Sequence, residues 1–327
     1  MSIPVYAANA VSCLGVKPGE HFQALVDEPF ADVGARLCDA ALAAGAASAA
    51  CVVVPDSARP LLTSYEPFVA SLGRTDAICF WFMHIHDGEF AGFRKPLYAR
   101  AVEARTRVAF GGRMDRSMLE HEMAADYGAL RELTAALGAR LTGSRRVRVT
   151  TPGGTDCTFD VTGREWKLDD GVLDQPGAFG NLPAGEVFVA PLATGAEGVC
   201  VIDRSIALGG EGLVDEPILL TFRLGRIVAV EGGRSAESTR AAIAEAGAGA
   251  DVVAELGIGT NERARVTGSV ITDEKVLGTA HVAFGDNASA SYGGDNKAAI
   301  HVDGVMADAT IEADGAVVMV VGELLPR

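Results

Sequence analysis

Near residue 142 the periodicity of this 327-residue chain changes, and that change limits what the chain can fold into. Upstream, helical patterns alternate with short apolar runs. "HFQALVDEPFADVGARLCDAALAAGA" (21–46) carries helical spacing and ends at a glycine, and "DYGALRELTAALGARL" (126–141) reads as a second helix. "ACVVVP" (50–55), "DAICFWFMHIH" (76–86) and "RTRVAFGG" (105–112) read as buried strands. Such alternation predicts a small parallel sheet covered on both faces. Downstream, short alternating runs such as "RRVRVT", "GEVFVAP", "GVCVID" and "PILLTFRLGRIVAVEGG" are divided by Gly, Asp and Pro turns, the pattern of a mainly antiparallel sheet. "RLGRIVAV" predicts a tight hairpin at Gly225, and "SAESTRAAIAEAG" (235–247) a helix with Ser235 as N-cap and Gly247 at its end. The expected architecture is α/β plus α+β: a small N-terminal parallel-sheet domain, 1–142, packed on a mainly antiparallel C-terminal domain, 143–327.

Charge and cysteine usage narrow the function classes. A net charge of −15 opposes non-specific nucleic-acid binding, and "GSRRVRV" (143–149), the only tight basic run, alternates like a half-buried strand. Six scattered cysteines with no CxxC predict reduced, mostly buried thiols and a cytoplasmic protein rather than a disulfide frame. No apolar run is long enough to span a membrane. "GGEG" (209–212) lacks the Lys and Ser/Thr of a phosphate loop, and no G-x-S-x-G elbow is present.

Some polar residues do not belong in a core. Only two of the six histidines, His281 and His301, lie in the second half, in "GTAHVAFGDN" and "AAIHVDGVM". His301 and Asp303, two apart on a strand, share one face. Glu186 opens "GEVFVAP", and Glu255 lies where the apolar run "DVVAELGIG" ends. Burying such groups is costly unless they are paired or bind a metal, and carboxylate with imidazole is the ligand set of Zn²⁺, Mn²⁺, Co²⁺ and Fe²⁺ sites. Five ligands, one of them bridging, suffice for two ions. A structural alternative keeps Asp303 as a turn residue and Glu186 as a surface strand start. In "FMHIHDGEF" (82–90), His84 and His86, followed by Asp87 and Glu89, form either a second metal pair or a polar strand end at the sheet's carboxyl edge.

Taken in order, "GREWKLDDG", "GAFGNLPAGEVFVAP", "GAEGVCVID", "AELGIGTN", "GTAHVAFGDN" and "IHVDGVM" resemble the aminopeptidase T family of dinuclear metalloaminopeptidases over roughly 145–322. The resemblance implies Glu186, Glu255, His281, His301 and Asp303 as metal ligands, with Glu255 bridging two divalent ions (Zn, Co or Mn), and a homodimer. Two positions depart from the family. Its catalytic tyrosine falls on Ala288 here, with Tyr292 four residues on, and its glutamate five residues before the His281 position is Val276, with Glu274 two further back. A second branch of the superfamily, the 2,5-dihydroxypyridine 5,6-dioxygenases, holds one Fe(II) on two histidines and an aspartate. Its first histidine aligns with Glu255, and it has none at the His281 position. By ligand type the chain is similar to the hydrolases, although His281, His301 and Asp303 could form a facial iron triad.

The expected function is metal-assisted hydrolysis of an amide or small peptide bond, with Glu255 and Glu274 as catalytic carboxylates and Glu274 taking the proton of a metal-bound water. Tyr292 or Arg164 would stabilise the oxyanion. The stretch holding Arg164, Trp166, Asp169 and Asp170 has a plainer reading as a turn tying the two domains together. The alternatives are a mononuclear non-haem iron dioxygenase cleaving a hydroxylated N-heteroaromatic ring, and a homologue that binds metal without turnover. In each case the partner is a small molecule or short peptide, with neither nucleic acid nor membrane.

Overall fold

The computed structural model describes residues 2–63, 74–86, 88–208, 211–289 and 292–326. Asp87 and the start of "GGEG" therefore lie outside the described residues. The chain divides into two compact units, Met1–Tyr127 with Gly171–Ala184, and Gly128–Asp170 with Gly185–Arg327. No described helix is long and apolar enough to cross a membrane.

The first unit carries a parallel sheet in the order β2 (Ser48–Val54), β1 (His21–Asp27), β3 (Ala77–Phe82), β4 (Arg107–Gly112) and β8 (Phe179–Asn181). Every residue of β3 and β4 is buried, which accounts for runs with no polar alternation. Phe80 anchors their packing, 4.5 Å from Phe82 and 5.0 Å from Phe110 between ring centroids. His21–Asp27 corrects the expected helix over 21–46. It is a strand, and the helix is confined to Ala31–Ala43 (α2), after α1 (Val5–Cys13). Six of the seven residues of β1 are buried, so it shows no period of two, and Pro29 closes it off from the helix behind. Helices Lys95–Glu103 (α3) and Arg116–Glu120 (α4) complete the described helices up to residue 126.

The second unit holds two antiparallel sheets, as the sequence pattern anticipates. One runs β14 (Arg226–Glu231), β13 (Ile218–Arg223), β10 (Ala196–Ile202), β6 (Asp156–Asp160), β5 (Arg146–Thr150), β18 (Thr310–Ala313), β19 (Ala316–Val320), β20 (Glu323–Leu324). The other runs β12 (Glu211–Leu213), β11 (Ser205–Leu208), β17 (His301–Met306), β16 (Ala280–Gly285), β15 (Val253–Gly259), β9 (Glu186–Val189), β7 (Lys167–Asp169). Phe159, Leu220 and Phe222 of the first sheet share one core with Val187, Val189, Leu256, Ile258, Val282, Phe284 and Val302 of the second. Leu137 and Leu141 of the helix Tyr127–Leu141 (α5) join it. The β13–β14 hairpin turns at Leu224 and Gly225, both at positive φ, as the sequence predicts.

The helix Arg234–Ala246 (α6) ends at Gly247 as expected, but Ser235 is not its N-cap. Gly233 holds that position. Asp215 caps the helix from an earlier loop, its Oδ1 accepting from the Ser235 amide (3.0 Å) and hydroxyl (2.8 Å) and its Oδ2 from the Arg234 amide (3.1 Å). Those donors, the Ser235 amide first, hold the Asp215 carboxyl well below the usual range.

Candidate metal centre

The second sheet puts apolar residues on one face and titratable residues on the other. Val187, Leu256, Ile258, Val282, Phe284 and Val302 point into the core, so the residues alternating with them point away from it. Register fixes which those are. Asp169 pairs with Glu186, Glu186 with Gly259, Gly257 with His281, Ala283 with both Glu255 and Asp303, and Gly285 with His301. Directly paired residues of an antiparallel ladder share a face. Asp169, Glu186, Glu255, His281, His301 and Asp303 therefore emerge together from five neighbouring strands. Gly257 makes room for them, because a Cβ there would lie 2.1 Å from two atoms of the His281 ring.

Those side chains converge. His281 Nε2 lies 3.4 Å from Glu186 Oε2 and 3.5 Å from Glu255 Oε1. His301 Nε2 lies 3.5 Å from Glu255 Oε2 and 3.2 Å from Asp303 Oδ1. Three overlapping groups each offer ligand atoms within 4.8 Å of one another: Glu186–Glu255–His281, Glu255–His301–Asp303 and Glu274–His281–Asp303. A divalent ion about 2.1 Å from each ligand keeps neighbouring ligand atoms about 3.0–3.4 Å apart, so these separations suit a shared cation.

Two further observations fit a metal. His281 is fully buried, yet neither ring nitrogen has a hydrogen-bond partner, and Glu186 Oε2 lacks one too. A buried imidazole without partners is costly. His301 instead sets its Nδ1 against the Asp286 carbonyl at 2.7 Å, which makes Nδ1 the donor and turns Nε2 toward Glu255 and Asp303. This is the outer hydrogen bond that usually orients a metal-binding histidine. Without a metal the cluster holds its charges through protons. Burial opposes charge on His281, but Glu255 and Glu186 push its imidazole up to about 9. Burial likewise pushes Glu186 up to about 8, against the pull of Lys275.

Lys275 and Asp169 are the members that sequence reasoning missed. Lys275 is completely buried, with Nζ 2.8 Å from Glu274 Oε1, 3.1 Å from Asp169 Oδ2, and hydrogen-bonded to Glu186 Oε1. Glu274, expected as a catalytic carboxylate, thus lies in an ion pair with Lys275. Asp169 is a strand residue paired with Glu186 rather than part of a turn. Trp166 sits in the second unit's core, donating to the Ser144 hydroxyl, and Arg164 donates to the Gly293 carbonyl and Asp295. Tyr292 stacks on His301 with ring centroids 4.6 Å apart and meets Phe188 edge-on at 6.1 Å. Burial, reinforced by Glu255 and Asp303, holds its phenol well above the usual range, so it stays protonated at neutral pH.

His84 and His86 follow β3 in the first unit. The amide of His84 donates to Asp27 Oδ2 and that of His86 to Glu89 Oε2. Among the described residues neither belongs to a possible metal group. None of the six cysteines is in a disulfide, and all but Cys51 are buried.

The fold is shared with two solved structures. One is 2,5-dihydroxypyridine dioxygenase from Pseudomonas putida KT2440, at TM-score 0.78 and 19% identity, covering 99% of this chain and 97% of that one. The other is wild-type aminopeptidase T from Thermus thermophilus, at TM-score 0.75 and 19% identity, covering 99% of each. No curated protein sequence matches the chain. That likeness shows a shared fold and does not carry the specific aminopeptidase T assignment expected from the sequence. Sequence family separates them: residues 15–326 match the 2,5-dihydroxypyridine 5,6-dioxygenase family, and the chain belongs to it.

Proposed function

We propose that this protein is a mononuclear, iron(II)-dependent dioxygenase that opens the ring of a hydroxylated N-heteroaromatic such as a dihydroxypyridine. The observation that carries the reading is the convergence of two imidazoles, His281 and His301, with Asp303 and Glu255 on one sheet face. Two histidines with a carboxylate make the donor set of non-haem iron oxygenases. Relative to the dioxygenase branch, whose first histidine aligns with Glu255, the histidine count is kept by moving one imidazole to the neighbouring strand. Family membership over residues 15–326 supports the same reading.

When bound, iron would let O₂ react with a closed-shell aromatic ring. The reaction breaks one ring C–C bond and forms two C–O bonds, and it consumes no other reductant. The chain's own residues bind and orient the ring. Tyr292, fixed between His301 and Phe188, presents an aromatic wall and a phenol that remains a donor at neutral pH. Glu274, whose carboxyl burial pushes up, has an oxygen within 4.8 Å of ligand atoms of His281 and Asp303. There it is placed to accept the proton of a binding hydroxyl. His301 is held in one tautomer by the Asp286 carbonyl.

A two-ion hydrolase is the second reading. Glu255 favours it, since Oε1 faces His281 and Oε2 faces His301, the disposition of a bridging carboxylate. Oxygen uptake decides between the two. Protein reconstituted anaerobically with Fe²⁺ is expected to consume O₂ on addition of 2,5-dihydroxypyridine, and Zn²⁺-, Co²⁺- or Mn²⁺-loaded protein to leave amides and dipeptides intact. Amide or peptide turnover without oxygen uptake would reverse the ranking.

A further inference from the structure

The five expected ligands form two overlapping subsites that share Glu255: Glu186–Glu255–His281 on one side and Glu255–His301–Asp303 on the other. In a two-ion enzyme each subsite would hold a divalent cation. The subsite containing Glu186 already has a cation beside it. The Lys275 ammonium donates to Glu186 and lies within ion-pair distance of Glu274, at 2.8 Å, and Asp169, at 3.1 Å, so three carboxylates surround one buried positive charge. Lys275 is also held at its backbone, where its amide donates to Thr272 and its carbonyl accepts from the Asn261 amide at 2.8 Å. Just before it, buried Asp273 pins the preceding turn by accepting from the amides of Thr267 and Gly268, both at 2.8 Å. The ammonium cannot swing away without leaving buried Glu186 and the mostly covered Asp169 and Glu274 carboxylates without their cation.

We propose that the Lys275 ammonium stands in for one of two divalent ions, so that Glu186 serves as its counter-ion and the centre holds a single metal. The assignment rests on the metal-centre reading above and explains how a five-ligand set of hydrolase type belongs to a one-metal enzyme. A second ion on Glu186 and His281 would share a carboxylate with a positive group already hydrogen-bonded to it, and like charges so close in a buried site repel strongly. The remaining metal position, held by His281, Glu255, His301 and Asp303, has no Lys or Arg among the ion-pair partners of His281, Glu255, His301 or Asp303 within the described residues.

The test counts ions. Wild-type protein, freed of metal and reloaded with excess Fe²⁺ under argon or with Mn²⁺, is analysed by elemental analysis and titration calorimetry, beside Lys275→Met and Glu186→Gln. One ion per wild-type chain is expected, rising to two in Lys275→Met. Glu186→Gln should keep one ion with affinity changed less than about 10-fold, the low end of outer-sphere effects. Should Lys275→Met fail to fold, the other two proteins still decide. Two ions in the wild type, no gain in a folded Lys275→Met, or loss of the ion in Glu186→Gln would each overturn the role of Lys275. One ion per chain with no oxygen uptake on any dihydroxypyridine would instead support Lys275 and overturn the ring-opening reading.

Discussion

Each unit of this protein buries a cation among carboxylates, and the two clusters differ in how completely they are satisfied. In the first, the Arg59 side chain is 2% exposed, with its guanidinium 4.4 Å from the centre of the Phe82 ring. Both oxygens of Glu89 accept twice, Oε1 from Arg59 and the Leu61 amide, Oε2 from Arg59 and the His86 amide. Arg59 also donates to the His84 carbonyl and faces Asp27 at 3.8 Å. Among the described residues of that cluster, Asp27 Oδ1 alone lacks a partner. In the second cluster Lys275 is equally well paired, but its neighbours are not. Both nitrogens of His281, one oxygen of Glu186 and one of Asp169 lack hydrogen-bond partners, and His281 Nε2 lies 3.5 Å from Glu255, a separation that suits a shared ion. A closed network of buried charge fixes a strand end, whereas an open one leaves polar atoms available to a ligand.

The contrast yields predictions that differ in size. Glu255→Ala should have the largest effect, since Glu255 is the one ligand common to both subsites. Its loss should lower metal affinity by more than the roughly 10–100-fold typical of outer-sphere changes, measured by calorimetry, while the metal-free fold persists. A Glu255→Ala protein that binds its ion normally would remove the second cluster from the metal account. Next comes Arg59→Met, which would leave Glu89 and Asp27 buried without their cation. Loss of one partner from a buried ion pair costs about 3–5 kcal/mol, to be read from denaturant unfolding, with the metal count unchanged. If Arg59→Met released metal instead, the clusters could not be treated as separate.

The smallest effect belongs to neither cluster. Asp215 caps α6 with a carboxyl held below its ordinary range, so its stabilisation is complete above the unfolded value near about 3.9 and fades as pH falls through the folded one. Asp215→Ala should lower the unfolding midpoint by a constant amount between pH 5 and about 8, and by less in more acidic solution. A difference that grew with acid would contradict that sign.

The candidate ligands were legible in the sequence for a physical reason. His281, His301, Asp303 and Glu255 interrupt apolar runs whose other residues enter the core, and in a strand that alternation leaves one place for them to point. Lys275 was not legible. "TDEK" has the composition of a surface turn, and its burial follows from a four-residue helix, Val270–Asp273, that returns the chain to Asn261. Asp169, beside Asp170 and Gly171, likewise reads as a turn until Glu186 is seen to pair with it. The strand at His21–Asp27 escaped because a parallel strand buried on both faces loses the period of two. The cap of α6 escaped because Asp215 lies 20 residues before Ser235. Local patterning thus located the donors, while the cation that sets their stoichiometry depended on tertiary contact. The choice of reaction followed the family match rather than the ligand types, which had pointed to hydrolysis.

The most direct test of the central claim is isotopic. Iron-loaded protein is mixed with 2,5-dihydroxypyridine under ¹⁸O₂, and the product is weighed by mass spectrometry within the first turnovers. Ring opening by a dioxygenase predicts one product carrying both labelled atoms, formed mole for mole with oxygen consumed. An unlabelled product, or turnover that proceeds equally well under argon, would contradict it and return the site to hydrolysis.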